Sequence, residues 1–117
     1  MAQYMLLLRD DPSHWAKLSP EEIQKTTEKY MEWRTRPFVR AGQRLDSSTG
    51  RVMVKKDGKI GVTDGPFSES REVLGGYFAI EAKDFDEAVA LSMDNPHADL
   101  GIGTIEIREV MAMPESN

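Results

Sequence analysis

Three observations predict an α+β sandwich in the order β-α-β-β-β-α-β. An apolar run opens the chain, an Asp-Gly pair separates two β-rich runs, and two stretches of helical spacing start at clear caps. With 117 residues, the chain has the size of one domain and should bury roughly two-thirds of its unfolded surface. We expect a single domain over residues 1–111 and a frayed tail over 112–117.

In Gln3 to Arg9, Tyr4, Met5, Leu6, Leu7 and Leu8 are all apolar, as suits a central strand covered on both faces. Ser19-Pro20-Glu21-Glu22 is a helix start. Ser19 accepts from the backbone, Pro20 fits the first helical position, and Glu22 completes a capping box. Ile23, Thr27, Tyr30, Trp33 or Arg34, Phe38 and Ala41 then recur at helical spacing, which carries the helix to about Ala41 with Gly42 ending it. Pro37 should kink this helix or end its first segment.

After a polar loop from Arg44 to Gly50, Val52–Lys56 and Lys59–Val62 flank Asp57-Gly58, a strong hairpin signal. Asp64-Gly65-Pro66 reads as a chain reversal: Asp accepts from nearby backbone, Gly supplies positive φ and Pro removes a donor. Gly75-Gly76 opens the strand Tyr77 to Ala82, and the paired glycines suit a bulge or the close approach of backbone or a small ligand. Asp84, with Glu87 three residues on, caps a second helix that ends at Asn95-Pro96. Gly103 to Val110 alternates as a strand with one packed face.

This order is ferredoxin-like, and its crossovers place both helices on one sheet face. The opposite face keeps apolar residues of the first strand. We therefore expect a homodimer that closes an α+β barrel through the helix-free face.

Val62-Thr63-Asp64-Gly65-Pro66-Phe67 and Gly75-Gly76-Tyr77, with Leu18-Ser19-Pro20-Glu21-Glu22, Asp86-Glu87-Ala88 and Pro96-His97, resemble the YCII-related family, in particular its DGPF branch of small bacterial proteins. The resemblance implies a dimeric α+β barrel, and a His–Asp pairing like that of some relatives. It also implies a likeness to segments associated with sigma-factor-type transcription proteins. Three departures stand out: Gly42 to Ser48 is short, Ser70-Arg71-Glu72 stands where Thr-Lys-Glu is typical, and the first helix has no His.

A net charge of −5 argues against a nucleic-acid binder. Residues 34–59 nevertheless carry eight bases against two acids, a local +6. Such a run is either a solvated surface, an anion-attracting rim or a dimer contact. The absence of cysteine excludes disulfides and thiolate metal sites, and the first residues resemble neither a signal peptide nor a membrane span. We expect a cytoplasmic protein with no membrane partner.

His97 and Asp64 are the candidate catalytic pair, because a carboxylate that orients an imidazole raises its basicity for isomerisation or elimination. Arg9, Arg71, Glu72 and Arg108 are candidate substrate-orienting charges. The structural alternative is that Asp64 caps its own turn and His97 caps a helix end. His14, beside Trp15, is expected to pack or face solvent. No metal-ligand spacing is present, Ser68 and Ser70 lack a nucleophile elbow, and no cofactor is expected. Three functions follow: a small-molecule acid–base enzyme, a ligand-binding or regulatory module linked to sigma-factor-type transcription control, or a purely structural dimer.

Overall fold

The computed structural model describes residues 1–46, 49–65 and 72–112. Its elements are β1 (Ala2–Asp10), α1 (Pro12–Ala16), α2 (Pro20–Arg34), β2 (Val39–Arg44), β3 (Gly50–Lys56), β4 (Lys59–Gly65), β5 (Val73–Ala82), α3 (Phe85–Ser92), α4 (Pro96–Asp99) and β6 (Gly103–Glu109). An antiparallel sheet runs β2-β5-β1-β6, and β3 and β4 form a separate hairpin. With that hairpin set aside, the strand order is ferredoxin-like.

Along β1, Tyr4, Leu6, Leu8 and Asp10 are buried while Met5, Leu7 and Arg9 are half-buried. The pleat sends alternate residues to opposite faces, so the continuous apolar run splits between a helix-covered core and a helix-free face. The core joins Leu6 and Leu8 to Trp33 of α2, Phe78 and Ile80 of β5 and Ala88 of α3. Both long helices therefore lie on one face, as expected.

The first long helix ends at Arg34, not at Ala41. Pro37 blocks its continuation, and Val39–Arg44 instead pairs with β5 as an edge strand. Phe38 keeps its apolar contact by packing on the core from the loop. Gly42 is consequently no helix cap: a Cβ there would sit 2.5 Å from a Phe78 ring carbon, so the strand needs glycine to approach the core.

The hairpin turns at Asp57 and Gly58, with φ of 53° and 79°, as a turn matched to strand twist requires. Asp64 and Gly65 remain paired in β4, opposite Arg51 and Gly50. Pro66, Phe67, Ser68, Ser70 and Arg71 lie outside the described residues. The second helix also divides, with α3 ending at Ser92 and Pro96 opening α4. Among the described residues no helix is long and apolar enough to cross a membrane.

Candidate functional site

Asp10 ends the inward stripe of β1 and is only 5% exposed. The turn into α1, capped by the Asp11 side chain on the Ser13 amide at 2.9 Å, brings Trp15 back so that its indole Nε1 donates to Asp10 Oδ2 at 2.9 Å. Register shifts between Leu8 and Arg9, which pair with Gly76 and Leu74, leaving Gly75 as the extra residue. Gly75 thereby gives the carboxylate room, since a Cβ there would meet both Asp10 oxygens at 3.1 Å.

His97 is positioned from the other end of the chain. Asn95 caps α4 by accepting from the His97 amide at 3.0 Å, and Pro96 takes the first helical position. The imidazole lies 2.9 Å from the Arg9 carbonyl through Nε2 and 2.8 Å from the Tyr30 hydroxyl through Nδ1. A carbonyl can only accept, so Nε2 carries the proton, and in the neutral ring Nδ1 accepts from the Tyr30 O–H.

Burial holds the His97 pKa below its ordinary 6.5, opposed by the Arg9 carbonyl and by the charges of Asp10 and Glu72. The ring is therefore neutral at pH 7. Burial likewise raises the Tyr30 hydroxyl well above the usual phenol range, helped by Asp10 and opposed by Arg44.

These side chains line a cavity of about 270 Å³ between the second half of α2 and the sheet. Leu8, Met31 and Phe78 supply apolar wall, and Arg34 and Arg44 contribute guanidinium groups. Arg44 lies over the Trp15 ring, 4.4 Å from its centroid, a cation–π contact that steadies it.

Gly103 lets β6 pass this closely. A Cβ there would collide with the Arg9 carbonyl and sit 2.7 Å from His97 Nε2. Gly103→Ala is expected to lose about 1–3 kcal/mol, the usual cost of overpacking. An unchanged urea midpoint would show that β6 can move away without loss.

Of the residues proposed from sequence, His97 is in the cavity wall, whereas Asp64 projects from β4 with its side chain 93% exposed, 3.6 Å from Arg51. Both ring nitrogens of His97 have other partners, so a His97–Asp64 pair is not made within the chain. Arg9 gives its carbonyl to His97 but turns its guanidinium to Glu106 at 3.3 Å. Glu72 is near enough for its charge to reach His97, and Arg108 is exposed on β6 opposite Met5. His14 is half-buried, edge-on to Trp15. No cluster of His, Cys, Asp and Glu suited to a metal occurs among the described residues.

Sequence reading missed Asp10, Tyr30 and the cavity arginines as a group. One signal was available: Asp10 continues the inward series Tyr4, Leu6, Leu8, where a carboxylate is out of place unless it has a task.

A family model described as YCII-related domain matches residues 2–114. An uncharacterized protein of Rhizobium meliloti (strain 1021) is 30% identical over 114 residues, covering 90% of this chain and 89% of that relative.

Proposed function

The chain belongs to the YCII-related domain family, and from that premise we propose that it is a small-molecule enzyme using acid–base chemistry in the cavity beneath α2. The observation that carries this reading is the Tyr30–His97 hydrogen bond of 2.8 Å in the cavity wall, with the far side of the imidazole held by a carbonyl.

The pair acts as a general base. Tyr30 takes a proton from a substrate carbon next to a carbonyl group and passes its own hydroxyl proton to His97 Nδ1. The hydroxyl is restored and the imidazole becomes imidazolium, still donating from Nε2 to Arg9. Asp10 offsets the new positive charge across the site, the role first sought in Asp64. Return of the proton to a neighbouring carbon completes an isomerisation, and loss of a leaving group completes an elimination. Two chains pair through the helix-free face, where Met5, Leu7, Tyr77 and Ala79 are half-buried in the single chain and gain cover from a partner.

The test is deuterium uptake from D2O into a library of small carbonyl compounds, read by mass spectrometry. Wild type should label at least one compound, and Tyr30→Phe should do so about 10²–10⁴-fold more slowly, the usual contribution of a positioned acid–base group. No labelling by wild type, or equal labelling by the variant, would overturn the reading. Ligand binding without exchange would favour the ligand-binding module instead.

A further inference from the structure

The basic run of the sequence divides in space. Arg36 pairs with Asp94 at 2.6 Å, Arg40 with Glu81 at 2.8 Å and Arg51 with Asp64 at 3.6 Å. Arg34 and Arg44, by contrast, form no salt bridge among the described residues, and both line the cavity. Among the described lining residues, with His97 and Tyr30 neutral, these two cations stand beside one carboxylate, Asp10, while Glu72 is near enough for its charge to reach His97.

We infer that Arg34 and Arg44 form the anion subsite of this cavity, and that its ligand is a small organic monocarboxylate. This assignment rests on the acid–base reading of the same cavity and supplies its substrate class. A guanidinium presents its N–H groups as a planar fork that matches a carboxylate. Stacking on Trp15 fixes the plane of Arg44 before the ligand arrives and so lowers the ordering cost of binding.

Phosphate fits less well. Arg34 is the last residue of α2, so the cavity lies toward the carbonyl end of that helix, where the dipole disfavours a dianion. Among the described residues, the cavity lining also lacks the glycine-rich turn leading into a helix N-terminus that typically cradles phosphate. Leu8, Met31 and Phe78 suit the hydrocarbon part of an acid, and about 270 Å³ is near the lower limit for small-molecule sites, which restricts the ligand to a short chain or one ring.

The experiment is a titration with butyrate and benzoate, their uncharged amides and inorganic phosphate, followed by NMR of the Trp15 indole N–H. Both carboxylates should shift this resonance saturably, and the amides and phosphate should bind at least about tenfold more weakly, as expected when a charge-assisted hydrogen bond is lost. Arg44→Gln and Arg34→Gln should each weaken benzoate by about the same factor, while Arg51→Gln, on the hairpin beside Asp64 and not among the described cavity residues, leaves it unchanged. Equal binding of acid and amide, tighter phosphate binding, no saturable shift, or indifference to both cavity substitutions would refute the subsite. Those results would leave deuterium exchange by Tyr30 and His97 standing. Retained carboxylate selectivity without exchange would sink the enzymatic reading alone.

Discussion

Trp33→Ala is expected to lose about 3–5 kcal/mol of stability, the usual cost of deleting a buried aromatic side chain. That is a large share of the 5–15 kcal/mol that holds a typical domain together. Trp33 is 2% exposed, and its ring meets Phe78 at 4.9 Å and Phe38 at 5.5 Å between centroids. It thus fastens α2, the loop before β2, and β5 at one point. Its indole also donates to Asp94 at 3.1 Å, and Asp94 is held below the usual carboxylate range by Arg36 first and by this indole second. Because α2 carries Tyr30, the substitution should also loosen the cavity. Urea unfolding followed by circular dichroism measures the loss. A change below about 1 kcal/mol would mean that the helix is anchored elsewhere, since such a value suits a surface residue rather than the core.

His97→Ala is expected to cost about 2–5 kcal/mol, because it strands the Arg9 carbonyl and the Tyr30 hydroxyl, and each buried polar group left unpaired costs about 1–3 kcal/mol. It should also remove a component of the pH dependence. The folded pKa of His97 lies below its ordinary 6.5, so the unfolded chain binds more protons as pH falls. Wild-type stability is therefore complete above pH 6.5 and declines as pH drops from there toward the folded value. In His97→Ala this decline should be smaller. Equal acid sensitivity in the two proteins would show that other groups govern it. The same neutral ring sets the pH profile of exchange: the rate should hold steady from neutral pH to below 6.5 and fall only as His97 gains a proton.

Local chemistry was readable without coordinates. Ser19 and Glu22 make the reciprocal cap that their spacing announces, Asp84 caps α3, and Asp57-Gly58 turns the hairpin. Each depends on residues a few positions apart. The end of α2 was not readable in the same way. Phe38 and Ala41 extend the helical spacing, yet β2 forms because Pro37 interrupts the helix and β5 offers an unpaired edge.

The candidate site lies further beyond sequence reach. Asp64 and His97 stood out by residue type, but the cavity is assembled from Asp10, Tyr30, Arg44, Gly75 and His97, which lie on five different elements. His97 meets the Arg9 carbonyl 88 residues away and the Tyr30 hydroxyl 67 residues away. By itself, then, the sequence determined the first and last strands, the hairpin and its turn, the capped starts of α2 and α3, and the family, because these rest on short-range hydrogen bonding and hydrophobic period. Only the tertiary structure decided which carboxylates lie near His97, which arginines line the cavity and which ring nitrogen carries the proton, because those depend on distances that strand pairing and helix packing create.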